Sequence, residues 1–137
     1  MRSRVILSRI LFVLYLAALA FLLFATSDQL PTVKPTLFGF ATDKVAHFLL
    51  FMPFPILAFL STNLVSKKWW HCVVTALVIL FIGAAIAAFT EYAQGLTPYR
   101  VADINDFKAD TIGMSITSAI VMLVDLIKLP KQKKSRK

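Results

Sequence analysis

Acidic residues are scarce in this chain. Of 137 residues only seven are Asp or Glu, against fifteen Lys or Arg. Charged residues of both signs make up 16%, well under the roughly 25% of an average soluble domain. Cysteine occurs once, as Cys72, which excludes an intramolecular disulfide. Cys72 lies in an apolar run, where a buried, inert thiol is the ordinary state. The sequence contains no Gly-x-Ser-x-Gly elbow, no phosphate-cradling glycine loop and no His-Glu-x-x-His. Serine or cysteine nucleophile catalysis, P-loop chemistry and zinc-peptidase chemistry therefore have no support.

What is present is mostly hydrocarbon. Hydrophobic residues make up 58% and the mean hydropathy is +0.76, the signature of a membrane protein. Ile10 to Phe24 runs without a charge, and with Val5, Ile6 and Leu7 it approaches the roughly 20 residues that span a bilayer. The basic start and the small residues Ala25-Thr-Ser27 also fit a signal peptide; the length of the apolar core favours an uncleaved helix. A second run, Phe48 to Leu60, contains Pro53 and Pro55, which predicts a helix kinked at its prolines or re-entrant. Thr42 or Asp43 is suited to cap its start. The third run, Cys72 to Phe89, pairs Gly83 with Ala87 and Ala84 with Ala88, small residues four apart that let a partner helix approach. The fourth helix starts near Asp103 and ends at Pro130. Between the first two runs, Thr26 to Thr42 is a loop broken by Pro31 and Pro35, and Leu37-Phe-Gly-Phe40 is suited to dip into the interface. Lys67, Lys68, Trp69 and Trp70 mark a headgroup level.

The expected architecture is all-α: a multi-pass membrane bundle of about four transmembrane helices. It forms one domain over residues 1–130, followed by a basic tail at 131–137. Eleven of the fifteen basic residues cluster at Arg2, Arg4, Arg9, Lys67, Lys68 and from Lys128 onward. Lys34, Lys44, Arg100 and Lys108 fall on the opposite side. Positive charge marks the cytoplasmic face, so both termini are expected inside the plasma membrane. The basic residues flank apolar runs rather than a nucleic-acid-binding surface, so membrane lipids are the expected partner and nucleic acid is not.

The acids show the reverse bias, and Glu91, Asp103, Asp106 and Asp110 fall within the 22 positions from Phe89 to Asp110. Asp103, Asp106, Asp110, Gly113 and Thr117 step by three and four along one helix face. That face must look toward protein or water, because an ionised group facing lipid costs at least about 2.5–3.5 kcal/mol near the bilayer centre. Glu91 and Gln94 share a face of the third helix, and His47 lies one turn into the second. Arg100 is expected to pair with Glu91 or an aspartate, or to hold a phosphate. His47 is open between an interfacial histidine bonded to Asp43 and a proton-shuttling or ligating one. Asp125 is expected to snorkel or to pair with Lys128.

Asp43-Lys-x-x-His47-Phe48, Glu91-x-x-Gln94, Arg100-x-x-Asp103-x-x-Asp106 and Asp110-x-x-Gly113, in this order, resemble the VanZ-like family of small membrane proteins. The resemblance covers about residues 43–117. The family often carries asparagine where this chain has Asp110. The resemblance implies a multi-helix protein of the cell envelope, linked through a named relative to teicoplanin resistance, and it supplies no mechanism. On this reading His47, Glu91 and Asp106 are candidates for catalysis, and Asp43, Lys44, Gln94, Arg100, Asp103 and Asp110 for ligand binding.

Three classes stay open: a protein that binds or processes a lipid-linked or glycopeptide-related ligand at the outer face, a metal-assisted enzyme on a phosphate-bearing lipid, and a structural partner protein. Enzymatic activity is not decided by these residues. The acid-rich cluster calls for a proton or a divalent cation: carboxylates suit magnesium, calcium or manganese, and His47 would admit zinc or manganese.

Overall fold

The computed structural model describes residues 2–26, 29, 34–62, 64, 66–98 and 100–134. Its elements are α1 (Arg2–Phe24), β1 (Thr36–Leu37), β2 (Phe40–Ala41), α2 (Thr42–Phe51), α3 (Pro53–Thr62), α4 (Trp69–Gly95) and α5 (Ile104–Lys134). With α2 and α3 taken as one span, four helices are long and apolar enough to cross a membrane. The expected all-α membrane bundle is the fold observed. α5 is central: it packs along α4 and also carries α2, while α3 lies mainly against α1.

The core lies where these helices meet, built from Leu19, Leu23, Phe51, Phe54, Ala58, Ile79, Ala87 and Met114. Phe12 of α1 meets Phe54 of α3 edge-on, with ring centroids 5.6 Å apart. Val13, Phe21, Leu77, Phe81 and Ile127 point outward, as expected where the surrounding solvent is hydrocarbon. On α4 the buried residues Cys72, Ala76, Ile79, Gly83, Ala87, Glu91 and Gln94 form one stripe. Of the two small pairs, Gly83 and Ala87 face the bundle, whereas Ala84 is half-buried and Ala88 exposed.

The second span divides at Met52, immediately before Pro53. Pro53 has no N–H for the Leu49 carbonyl, and Pro55 has none for Phe51. Beside this gap the Tyr15 hydroxyl of α1 donates to the Leu50 carbonyl at 2.7 Å. A proline does not end α5, which continues past Pro130 to Lys134. Proline's fixed φ is helical, and so near the terminus the only intrahelical bond lost is that to Leu126. Residues 135–137 of the basic tail lie outside the described residues.

The loop before α2 contains an antiparallel hairpin, with Thr36 opposite Ala41 and Leu37 opposite Phe40. Its two turn residues, Phe38 and Gly39, have φ of 53° and 81°. A two-residue turn of this kind needs positive φ at both positions, which suits Gly39 and strains Phe38. Phe38 and Phe40 are strongly exposed. The hairpin is tied to α2 by the Thr42 N–H, which donates to the Pro35 carbonyl at 3.0 Å. The expected side-chain cap is absent: the N-cap position is Ala41, and Thr42 Oγ1 donates to the Lys34 carbonyl instead.

Candidate functional site

The start of α2, the end of α4 and the start of α5 meet at one end of the bundle. On α2, Lys44 and His47 are three apart and so project from one face toward α5. On α5, Asp106 and Asp110 are four apart and face back. Lys44 Nζ contacts Asp103 Oδ2 and Asp106 Oδ1, each at 2.5 Å, and Asp43 Oδ2 at 3.0 Å. One turn deeper, His47 Nδ1 lies 3.0 Å from Asp110 Oδ1, and His47 Nε2 lies 3.7 Å from Asp106 Oδ2. From α4, Glu91 Oε1 accepts the Asp103 N–H.

Asp103 organises the entry to α5. Its Oδ1 accepts the Asn105 N–H at 2.8 Å and the Asn105 side-chain amide at 2.9 Å. The first of these is an N-cap bond to the second helical residue. The Lys44 ammonium, seconded by the Asn105 N–H, holds the Asp103 carboxyl below the usual carboxylate range.

The deeper groups are buried and incompletely partnered. His47, Glu91, Asp106 and Asp110 are all shielded from solvent. His47 Nε2, Glu91 Oε2 and Asp110 Oδ2 have no hydrogen-bond partner among the described residues. A buried polar atom left unpaired costs about 1–3 kcal/mol, and more when charged. Charge is also unbalanced. Arg100 and Lys108 form no ion pair among the described residues; Arg100 Nη2 reaches the Ala25 carbonyl at 3.5 Å and Lys108 Nζ reaches Asn105 Oδ1 at 3.4 Å. Lys44 is thus the only lysine or arginine in contact with the carboxylates of the cluster among the described residues.

The structure brings Lys44, His47, Glu91, Asp103, Asp106 and Asp110 together. Three expectations change, and Gln94 gains a structural partner. Among the described residues Arg100 pairs with neither Glu91 nor an aspartate; Lys44 occupies that position from α2. His47 bonds Asp110 rather than Asp43. Gln94 Nε2 donates to the Leu23 carbonyl of α1 at 2.7 Å, a tie between helices. Asp125 lies buried at the opposite end of the bundle and accepts from Ser66 Oγ rather than pairing with Lys128.

A cavity of about 690 Å³ opens beside the cluster, between α1 and α2. Leu22, Leu23, Leu49 and Leu50 line it, His47 reaches it, and Lys34 and Arg100 contribute the cations. Lys34, which no motif in the sequence marks, lines the same cavity as Arg100. His47, Glu91 and Asp106 each offer a donor atom, and these atoms lie within 4.8 Å of one another.

The VanZ/LLP1 family model matches residues 12–125. No curated protein matches the chain, and no solved structure does.

Proposed function

The chain belongs to the VanZ/LLP1 family and is a multi-pass membrane protein, and from that premise we propose that it binds a lipid-linked, phosphate-bearing cell-envelope molecule in the cavity between α1 and α2. The observation that carries this reading is the cavity's two-sided chemistry. Leucines from both helices suit a hydrocarbon chain, while Lys34 and Arg100 supply cations that no carboxylate among the described residues neutralises. Arginine's planar fork matches phosphate oxygens. In this reading Asp43 and Lys44 border the headgroup, and the protein contributes to teicoplanin-type resistance by sequestering or processing an envelope precursor.

The basic-residue bias supports an orientation with both termini in the cytoplasm of a bacterial-type plasma membrane and the cavity toward the outer face. In a Cys72→Ala background, a cysteine at Thr97 is expected to react with an impermeant maleimide in intact cells, and one at Lys67 only after lysis. Reversed reactivity would place the cavity on the wrong leaflet for an external ligand.

Glu91→Gln tests the functional reading directly. The glutamine oxygen still accepts the Asp103 N–H, so the entry to α5 is kept, while the charge at the buried Oε2 is removed. In a glycopeptide-susceptible host, the wild-type protein is expected to raise teicoplanin tolerance and Glu91→Gln, at equal abundance, to abolish the gain. Arg100→Gln is expected to weaken binding of a short polyprenyl diphosphate to purified protein by about tenfold or more, the loss of a charge-assisted hydrogen bond worth roughly 1.5–3 kcal/mol. If both variants behave as wild type, the charges serve only to hold the helices together.

A further inference from the structure

We propose that His47, Glu91 and Asp106 form a binding site for one divalent transition-metal ion, with Asp110 and Lys44 positioning two of the ligands. The inference does not depend on the identity of the lipid ligand. It rests on which atoms are already engaged and which are left over. Asp110 engages His47 Nδ1 at 3.0 Å, Asp103 N–H engages Glu91 Oε1, and Lys44 engages Asp106 Oδ1 at 2.5 Å. The second donor of each residue is left over: His47 Nε2, Glu91 Oε2 and Asp106 Oδ2.

Two of these three atoms, His47 Nε2 and Glu91 Oε2, are buried and unpartnered. Their residues are 3% and 7% exposed. An acidic cluster that merely repelled itself would turn its free oxygens to solvent. Here an imidazole nitrogen and a carboxylate oxygen are enclosed together with Asp106, 3.7 Å from the imidazole. That separation is close to the roughly 3.3–3.6 Å between two donors on one tetrahedral ion with bonds of about 2.0–2.2 Å. The three residues offer donors within 4.8 Å of one another, so small side-chain rotations inward would bring them onto one ion.

The surroundings repeat a pattern expected of a metal centre. A ligating histidine commonly donates its other N–H to a carboxylate, which fixes the tautomer and aims the lone pair. Asp110 occupies that place on His47. The ammonium of Lys44 plays the corresponding part for Asp106. One imidazole with two carboxylates favours Mn²⁺ or Zn²⁺ over Mg²⁺ or Ca²⁺, which take oxygen ligands. A doubly charged ion also supplies positive charge that, among the described residues, the neighbouring carboxylates draw from Lys44 as their one lysine or arginine.

The test uses the full chain purified in detergent, stripped with chelator, reloaded with Mn²⁺ or Zn²⁺ alone, desalted and assayed for metal by mass spectrometry. One ion per chain is expected. Glu91→Gln and Asp106→Asn should lose it, and Asp110→Asn should weaken binding by about 10- to 100-fold, as for other groups that orient a ligand. Asp125→Asn removes the buried acid at the far end of the bundle and should retain the ion. Pulsed electron paramagnetic resonance of the Mn²⁺-loaded protein should show coupling to an imidazole nitrogen, absent in His47→Gln. That measurement on the wild-type chain holds whether or not a variant folds. A substoichiometric ion, an ion without nitrogen coupling, or full retention by correctly folded Glu91→Gln would overturn the site.

Discussion

Lys44→Met is expected to loosen the junction of α2 and α5 and lower the stability of the detergent-solubilised protein by about 3 kcal/mol, the lower end of what breaking a buried ion pair costs. The reason is the number of acids that rely on this ammonium. It touches Asp43, Asp103 and Asp106 at once. Most of the effect falls on Asp106, whose side chain is only 11% exposed and which would lose its one lysine or arginine contact among the described residues. Asp43 and Asp103 are open enough for water to take over. Equilibrium unfolding of Lys44→Met, Asp106→Asn and the double variant measures the coupling. The double variant is expected to be more stable than Lys44→Met alone. A loss under about 1 kcal/mol, with additive single effects, would reduce the contact to an ordinary surface pair.

Gly113→Ala is the second large effect, acting through shape rather than charge. A Cβ at Gly113 would lie 2.5 Å from the Phe48 carbonyl oxygen and 3.3 Å from Met52 Cγ. A backbone oxygen in the middle of α2 cannot turn aside, so the two helices must separate. Overpacking typically costs about 1–3 kcal/mol, and this site belongs at the top of that range. Separation would also stretch the His47–Asp110 and Lys44–Asp106 contacts just above it. Gly83→Ala is the internal comparison. Its Cβ would meet Met114 Sδ at 2.5 Å and the Phe54 ring at 2.9 Å, and a thioether on a flexible stem can swing away. Thermal unfolding should therefore rank Gly113→Ala well below Gly83→Ala. Equal melting temperatures would mean that α2 and α5 do not approach as closely as described.

Much of this arrangement was legible in the sequence because lipid punishes misplaced charge. Asp106 and Asp110 share a stripe with Gly113 and Thr117, and an ionised stripe in a membrane helix has to turn inward. Glu91 could be added because it shares a face with Gln94 at the same end of the third helix. The choice between Lys44 and Arg100 was not legible. Both are cations expected on the same membrane side, and only the path of the 96–103 loop directs Arg100 toward Ala25. The Phe38-Gly39 turn was hidden for a related reason, since phenylalanine disguises a position that needs positive φ. Asp125 found a partner 59 residues away in Ser66, a pairing that helical spacing does not encode.

The divided second span has a consequence for how the protein is made. A nascent chain enters the membrane from its N-terminus, so α1 is in place before α2 and α3, and α5 comes last. The span broken at Met52 is poorly equipped to wait alone, with carbonyls freed by two prolines and with Lys44 and His47 near its start. Tyr15 is already synthesised when the Leu50 carbonyl emerges, so one mend is available at once. His47 must wait until synthesis has added the 63 residues that separate it from Asp110. During that interval its imidazole has no acid from α5 to receive it. The polar end of the bundle is therefore completed only when the last helix arrives.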